Sequence, residues 1–236
     1  MKRIVEPELL DTLPPADPRA MRSRRDLRRV NAWMRNHVIM ARALQKDWNG
    51  SAPKQITELG AGDGNFLLRV AQNIKVGQAS SLSTSADVKV TLLDRQKNVS
   101  AETLTAFASL GWRAEAVVAD VFDWAPTAGG SEVILANLFL HHFEDARLTE
   151  LLAKISRHAR VFIAVEPQRF NRASLCAQLL RFIGCNDVTL HDAAASIRAG
   201  FSGDELSALW PDKQNWQLTE QSAGAFSHLF IARKME

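Results

Sequence analysis

The stretch that decides the fold is Ile56-Thr57-Glu58-Leu59-Gly60-Ala61-Gly62-Asp63-Gly64-Asn65-Phe66. A short strand pattern runs into three glycines at alternate positions, and a helical pattern begins at Asn65. Because glycine tolerates positive φ and has no side chain, the backbone can turn sharply there beneath a ligand. A dinucleotide-binding fingerprint would place its third glycine where Asn65 stands. The segment therefore indicates a ligand loop of another kind, and a purely structural turn stays open on these residues alone.

Strand and helix patterns alternate along the rest of the chain. Five strand-to-helix units follow one another, which predicts an α/β fold with a parallel sheet and right-handed crossovers. The last two strands predict an antiparallel hairpin at the sheet edge. The predicted strands are Gln55–Leu59, Val88–Leu93, Ala114–Ala119, Glu132–Ala136, Arg160–Val165, Trp216–Gln221 and Phe226–Arg233. The predicted helices are Arg19–Trp48, Asn65–Ile74, Asn98–Leu110, Ala146–Ser156, Arg172–Ile183, Asp187–Arg198 and Asp204–Leu209, and Val76–Asp87 is predicted to be a surface loop.

Polar residues end the predicted parallel strands. Asp94 follows the second strand, Asp120 the third and Asn137 the fourth. The carboxyl ends of such strands meet at one edge of an open α/β sheet, where ligands bind. The Asp94 carboxylate can accept two hydrogen bonds from a ribose diol. Asp120, followed by the apolar Val121-Phe122, suits the amino group and ring face of adenine. A single residue of this kind is often only a helix cap, but three in order beside the glycine loop indicate a binding site.

The glycine loop with Glu58 before it, Asp94, Asp120 and the run Asn137-Leu138-Phe139-Leu140-His141-His142-Phe143 together resemble a class I S-adenosylmethionine-dependent methyltransferase. The resemblance spans about 54–234. It implies a doubly wound, seven-stranded, mostly parallel Rossmann-like sheet with an antiparallel C-terminal hairpin. It also implies that the loop approaches the methionine moiety, Asp94 holds the ribose and Asp120 contacts adenine. The residues expected to hold S-adenosyl-L-methionine are Glu58, Gly60, Ala61, Gly62, Asp94, Arg95, Asp120, Val121 and Asn137.

Three segments in the second half of the chain carry a narrower resemblance. They are Ala164-Val165-Glu166-Pro167-Gln168-Arg169, Gly184-Cys185-Asn186 and the run from His191 to Phe201. These segments are similar to methyltransferases associated with bacterial type III polyketide synthases. The similarity implies methyl transfer to a hydroxyl of a phenolic or polyketide-type product of secondary metabolism. Two other functions stay open, namely C-methylation of quinone precursors and a regulatory role that binds the cofactor without catalysis.

Histidines near the predicted cleft are the candidate catalytic bases. A phenol has a pKa near ~10 and gains at neutral pH from a base such as histidine. His141 and His142 directly follow the fourth strand, at the mouth of the cleft, and we favour His142 slightly. His191 lies on the segment expected to cover the acceptor. Packing or capping is the alternative role of each histidine. Glu166 and Arg198 are further candidates to line the acceptor site. No fixed ligand spacing supports a metal site, so none is predicted.

The first 50 residues differ in character from the rest. Residues 1–50 are predicted to form an arm and an amphipathic lid helix, ahead of a methyltransferase domain over 51–236 whose helices at about 168–210 cover the acceptor. Four of the eight prolines fall in the first 20 residues, which predicts an extended, loosely attached arm. Seven arginines and one acid, Asp26, lie between Arg19 and Arg35. The helix is interpreted as a solvated arginine face, as a lid that places Trp33 against the acceptor, or as a transient membrane-surface contact.

The composition sets outer limits on function. Of the 236 residues, 46% are apolar and 23% charged, which excludes a largely disordered or fibrous chain. The longest apolar stretch, Val133–Leu140, is interrupted by Asn137 and is far short of the ~20 residues that a membrane span needs. Two cysteines, Cys176 and Cys185, cannot staple a chain of this length, which predicts a cytoplasmic location. The predicted partner is a small-molecule acceptor. Aromatic residues are not interleaved with the basic cluster, so no nucleic-acid binding is predicted. The oligomeric state is not predicted.

Overall fold

The computed structural model describes residues 2–14, 16–47, 53–77, 88–124, 131–170 and 180–235. Its strands are β1 (Gln55–Leu59), β2 (Val88–Asp94), β3 (Trp112–Val118), β4 (Ser131–Asn137), β5 (Ala159–Pro167), β6 (Trp216–Ala223) and β7 (Ser227–Lys234). They form one seven-stranded sheet in the order β3-β2-β1-β4-β5-β7-β6. Strands β1 to β5 pair in parallel, and β7 runs antiparallel between β5 and β6. The predicted mostly parallel sheet with a C-terminal hairpin is confirmed.

Helices flank this sheet. They are α1 (Leu9–Thr12), α2 (Pro18–Met34), α3 (Asn36–Asp47), α4 (Asn65–Gly77), α5 (Ala101–Ser109), α6 (Asp145–His158), α7 (Asp187–Ala199) and α8 (Glu205–Leu209), with 3₁₀ turns at Leu140–His142 and Lys213–Asn215. The Asp17, Ser100 and Asn186 side chains cap α2, α5 and α7 by accepting backbone N–H hydrogen bonds from the first turn. Within the described ranges, no helix combines the length and apolar character needed to cross a bilayer.

Two apolar cores, one on each face of the sheet, explain why the central strands are apolar at almost every position. In β4, Val133 and Leu135 pack into the core that includes α3, α4 and α5. Ile134 and Ala136 pack into the opposite core, with α6 and α8. Successive side chains point to opposite faces of a strand, so a sheet covered on both faces needs apolar residues at both odd and even positions. The doubly wound arrangement is therefore confirmed, and ligand-binding residues are left to the strand ends.

The predicted single helix Arg19–Trp48 is in fact two helices, α2 and α3. Arg35 has a φ of 55°, in the left-handed region, and this residue ends α2. The next side chain, Asn36, is buried; its amide donates to Asn137 Oδ1 at 3.0 Å and its oxygen accepts from Ser227 Oγ at 2.6 Å. The break thus ties the N-terminal helices to β4 and β7. Apolar spacing along one helix does not encode such a tertiary contact.

The arm that precedes α1 lies across the carboxyl edge of the sheet, so the prediction that it is loosely attached is wrong. The Arg3 guanidinium donates to the carbonyls of Phe143 and Ala199, and it forms an ion pair with Asp145 at 2.9 Å. The backbone N–H of Ile4 donates to a carbonyl of α7 at 3.1 Å. The prolines set an extended path, as expected, but contacts with α6 and α7 hold that path in place.

Some predicted features lie outside the described residues. They are most of the loop Val76–Asp87, most of the helix Arg172–Ile183, and Cys176. The other predicted strands and helices agree with the structure to within a few residues at each end.

Candidate functional site

A cavity of about 640 Å³ opens at the carboxyl ends of β1 and β2, beside the segments that follow β3 and β4. This volume lies within the usual range for small-molecule and cofactor sites. Five of the residues predicted to hold the cofactor line it, namely Gly60, Asp94, Arg95, Asp120 and Val121. Its other walls include Val5–Glu8, Leu138, Phe139, His142 and Phe143. The structure therefore brings together residues that lie 60 positions apart, and it adds the N-terminal arm to them.

The glycine loop is held against the end of β2 by Asp94. The backbone N–H of Gly62 donates to Asp94 Oδ2 at 2.8 Å, and that of Gln96 donates to Oδ1 at 2.8 Å. Gly62 has a φ of +56°, and a Cβ added there would meet no described atom within 4 Å. Gly60 differs, because an added Cβ would lie 2.3 Å from the Phe139 ring. The loop thus needs glycine for its backbone conformation at both positions, and for close packing at Gly60.

Glu58 lies beneath the loop and is 2% exposed. Its Oε2 has no hydrogen-bond partner among the described residues. Burial raises the pKa of this carboxyl well above its usual value, and the nearby Asp63 and Asp94 carboxylates raise it further. A neutral carboxylic acid avoids leaving a buried charge uncompensated. In this structure the described cavity wall does not include Glu58, so its predicted contact with a cofactor stays a prediction.

The far end of the cavity is formed after β3. The Asp120 Oδ1 atom accepts the backbone N–H of Phe122 at 2.9 Å, and its Oδ2 lies 3.9 Å from the exposed Arg95 guanidinium. Val121 is buried and presents an apolar wall beside them. A carboxylate next to an apolar surface can accept from an amino group and pack against a flat ring, as the sequence predicted for an adenine site.

Leu138, directly after β4, has a backbone conformation that the sequence pattern does not predict. Its φ is +50°, which is uncommon for a residue with a side chain. Its backbone N–H donates to Val165 at 2.9 Å. The preceding Asn137 instead turns its amide toward Asn36 and lies outside the described walls of the cavity. The residue types next to Leu138 do not predict a positive φ. Residues with strained backbone conformations cluster at functional sites.

A second, smaller cavity of about 280 Å³ lies on the other side of Leu138. Most of its lining is apolar, and it includes the predicted Trp33. The lining residues are Glu8, Leu27, Val30, Asn31, Trp33, Met34, Leu138, His141, His142, Pro167, Leu180, Ala193, Ser196, Ile197 and Phe226. Three residues, Glu8, Leu138 and His142, line both cavities. The two cavities therefore share a wall that carries a carboxylate and an imidazole.

His141 is buried between two carboxylates. Its Nδ1 lies 2.8 Å from Glu166 Oε2, and its Nε2 lies 3.7 Å from Glu8 Oε1. The fully buried Glu166 also accepts backbone N–H groups at the start of the 3₁₀ turn, from Phe139 at 3.0 Å and Leu140 at 2.9 Å. Burial opposes the charge on His141, but Glu166 and Glu8 outweigh it and raise the pKa to about 9. At neutral pH His141 holds a proton, so it is not in the form that a general base requires.

This raised pKa predicts how stability depends on pH. A group whose pKa is raised on folding stabilises the native state fully below its unfolded value, near 6.5, and the contribution disappears as pH rises through about 9. We expect the free energy of unfolding to fall more steeply between these values in wild type than in His141→Gln, measured by urea unfolding at each pH. Parallel curves for wild type and His141→Gln would contradict the buried ion pair.

His142 is exposed and stands at the shared wall. Its ring centroid lies 4.2 Å from that of His141. One ligand-type atom from each of Glu8, His141 and His142 lies within 4.8 Å of the others, so these three groups could surround a metal ion. The sequence predicted no metal, and that expectation stays a prediction that metal analysis of the purified protein can check. The sequence did not point to Glu8 because it lies in a proline-rich arm, 133 residues before His141.

The remaining predicted residues, His191 and Arg198, belong to the part of α7 that contacts the arm and the start of α1. The His191 side chain is 45% exposed, with Nδ1 3.1 Å from Asp192 Oδ1. The buried Asp192 accepts the backbone N–H groups of Leu9 and Leu10 at 2.8 and 3.0 Å, at the start of α1. Arg198 forms an ion pair with Glu6 of the arm. The described walls of the two cavities include neither His191 nor Arg198.

The strand order, the reversed β7 and the cavity at the glycine loop define the class: this is the seven-stranded Rossmann-like fold of class I methyltransferases. The chain is similar to the plantazolicin methyltransferase BpumL in complex with SAH, with 14% identity and a TM-score of 0.65 over 93% of this chain and 92% of that one. It is similar to the mitomycin 7-O-methyltransferase MmcR, with 19% identity and a TM-score of 0.58 over 96% and 60%.

A third similar structure is an O-methyltransferase family protein from Burkholderia thailandensis, with 15% identity and a TM-score of 0.57 over 93% of this chain and 60% of that one. No protein-family model matches the chain, and no curated protein does. At these identities the likeness establishes the fold.

Proposed function

We propose that this protein is an S-adenosylmethionine-dependent methyltransferase that methylates the hydroxyl of a phenolic or polyketide-type small molecule. The observation that carries the proposal is the wall shared by the two cavities, formed by Glu8, Leu138 and His142. Methyl transfer needs a donor and an acceptor on either side of one point, aligned for displacement. The fold supports the same activity, since the similar BpumL structure contains SAH, the product that S-adenosylmethionine leaves after methyl transfer.

The larger cavity fits the cofactor. Its walls offer the Asp94 carboxylate for a ribose diol, and Asp120 with Val121 for adenine. Each Asp94 oxygen already accepts one backbone N–H, and a carboxylate oxygen can accept a second hydrogen bond. The open space above Gly62 leaves room for a ligand to approach the loop backbone. When bound, S-adenosylmethionine supplies the electrophilic methyl group, and the protein supplies position and a proton acceptor.

The smaller cavity fits an apolar acceptor with one polar end. Leu27, Val30, Met34 and Phe226 offer apolar contacts, while Glu8 and His142 place polar groups at the wall shared with the cofactor cavity. A flat, apolar molecule would therefore place its hydroxyl toward His142. The resemblance of the second half of the chain to polyketide-associated methyltransferases supports the same acceptor class.

Within this arrangement His142 takes the proton from the hydroxyl of the methyl acceptor, and His141 holds the His142 ring in position. A positioned base contributes about 10²–10⁴-fold to rate. Glu166 and Glu8 keep His141 charged, and the adjacent ring of His142 packs on it at 4.2 Å. Alignment of hydroxyl and methyl group adds up to about 7–11 kcal/mol in well-oriented systems. The arm contributes Glu8 to the walls of both cavities.

The experiment that tests the proposal is methyl transfer from labelled S-adenosylmethionine to a panel of phenols, thiols and quinols. We expect the label in an O-methyl product of an apolar phenol, identified by mass spectrometry and NMR. A label bound to ring carbon would instead establish C-methylation. Cofactor binding by calorimetry with no product from any acceptor would favour the non-catalytic function.

A prediction for cofactor affinity follows from Asp94. Asp94→Ala should lower S-adenosylmethionine affinity at least tenfold in calorimetry, because two hydrogen bonds to a charged group are lost, each worth roughly 1.5–3 kcal/mol. Asp63→Ala is the matched control: it removes one carboxylate from the same loop, where Asp63 accepts only the nearby Asn65 N–H in the described contacts. Unchanged affinity in Asp94→Ala, with a folded protein by circular dichroism, would show that the ribose binds elsewhere.

A further inference from the structure

The outward side of α2 carries a row of cations that the methyl-transfer site does not use. At about 100° per residue, one side of this helix collects its exposed residues. These are Met21, Arg22, Arg25, Arg28, Arg29 and Trp33, together called the cationic face. The one acid between Arg19 and Arg35, Asp26, is 3% exposed and accepts the backbone N–H of Asn186 at 3.0 Å. Asp26 also lies 3.6 Å from the Arg29 guanidinium and offsets part of the charge, while the exposed row itself contains four arginines and no acid.

Two large apolar residues from far along the chain lie beside the cationic face. Phe182 is 90% exposed and Ile183 is 45% exposed. Arg29 donates to the Ile183 carbonyl at 3.4 Å, and Arg22 donates to the Gly184 carbonyl at 3.1 Å. Single exposed apolar residues are ordinary, but here Arg22 and Arg29 link them to a helix face that also exposes Met21 and Trp33. Folding thus places an apolar rim next to a cationic surface.

The opposite side of α2 lines the smaller cavity. Leu27, Val30 and Met34 belong to its wall, and so does Leu180, two residues before Phe182. Trp33 belongs to both features, since it lines the cavity and is 55% exposed. One wall of the apolar cavity therefore adjoins the cationic face.

We propose that the cationic face, with Phe182 and Ile183, docks this protein onto an anionic lipid surface. Arginines attract anionic headgroups, and exposed apolar side chains enter the interface between headgroups and acyl chains. Docking there would let an apolar acceptor pass from lipid into the adjacent cavity, a consequence that rests on the proposed function. A single-stranded nucleic acid would instead need aromatic rings interleaved with the cations, whereas Trp33 lies at one end of this face, after its last arginine, and Phe182 lies beside the face.

The test is co-sedimentation of the full chain with vesicles, without cofactor or acceptor. One set contains phosphatidylcholine alone, and the other contains equal parts of phosphatidylcholine and phosphatidylglycerol. We expect binding to the anionic vesicles only, weakening as salt is raised. The double variant Arg25→Ser/Arg28→Ser should lower partitioning about thirtyfold, from the attraction that each arginine near a charged surface contributes. Phe182→Ser should lower it about tenfold.

The matched control is Arg157→Ser/Lys213→Ser, which removes the same charge from exposed positions at the opposite edge of the sheet. It should bind anionic vesicles like wild type, and all variants should retain the wild-type circular dichroism. Equal loss in the control would show that net charge alone drives binding and would overturn the proposal, as would absence of wild-type binding. Displacement from vesicles by a single-stranded oligonucleotide that binds more tightly would assign the face to nucleic acid. Vesicle binding without methyl transfer would leave the docking surface intact and refute only the proposed function.

Discussion

Gly62→Val should abolish measurable binding of S-adenosylmethionine. The valine side chain would occupy the open space at the loop, where an added Cβ meets no described atom within 4 Å. The substitution would also strain a backbone whose φ is +56°, a conformation that β-branched residues avoid. Because Gly62 donates to Asp94 at 2.8 Å, a shifted loop would also displace the predicted ribose acceptor. Calorimetry and cofactor-induced thermal stabilisation measure the loss directly.

Gly203→Val is the matched control for this variant. Gly203 has a φ of +61°, and an added Cβ there also meets no described atom within 4 Å. It lies before α8, whereas Gly62 donates to Asp94, a wall residue of the larger cavity. Both variants carry the cost of a left-handed valine, about 1–2 kcal/mol or more, but only Gly62→Val should lose cofactor binding. Normal thermal stabilisation of Gly62→Val by the cofactor would show that the glycine loop is not the binding loop.

His142→Ala should lower turnover by about 10²-fold or more while leaving cofactor affinity unchanged. The physical reason is that a phenol with a pKa near ~10 is protonated at neutral pH and needs a proton acceptor at the shared wall. The defect should shrink at high pH, or with a more acidic phenol, because the acceptor then ionises without help. Turnover against pH for two phenols of different acidity measures both effects.

The same measurements on His141→Ala and His191→Ala separate the roles of the three histidines. His141→Ala should lose turnover equally at every pH, since it positions its neighbour and hydroxide cannot replace lost geometry. His191→Ala should retain turnover, because His191 lies outside the described cavity walls. Wild-type turnover in His142→Ala would contradict the assignment and would leave alignment alone, or Glu8, to account for catalysis.

The fold was predictable because its signals are local. Alternating side chains on strands such as β4, and three- or four-residue steps on helices, appear within short windows of sequence. The cofactor side was predictable for a related reason. In a parallel sheet the strand ends meet at one edge, so Asp94 and Asp120 had to lie near the glycine loop once the strand order was known. Five of the nine residues predicted for the cofactor line the larger cavity, and this placement needed no knowledge of side-chain packing.

The acceptor side depends on contacts between distant segments, and no window of sequence contains them. The arm reaches the site because Arg3, Glu6 and the backbone at Leu9 contact residues of α6 and α7 that are more than 140 positions away. Those contacts place Glu8 beside His141. They hold the arm in place, so that it forms part of the walls of both cavities.

The protonation of His141 was likewise decided by folding, since two carboxylates from separate segments surround one buried ring. A histidine in the sequence titrates near its ordinary value, and only the packed environment raises its pKa to about 9. Sheet topology and the cofactor edge thus follow from repeating local patterns. The different roles of His141 and His142 follow from the burial of His141 and from the carboxylates beside it, and both exist only in the folded protein.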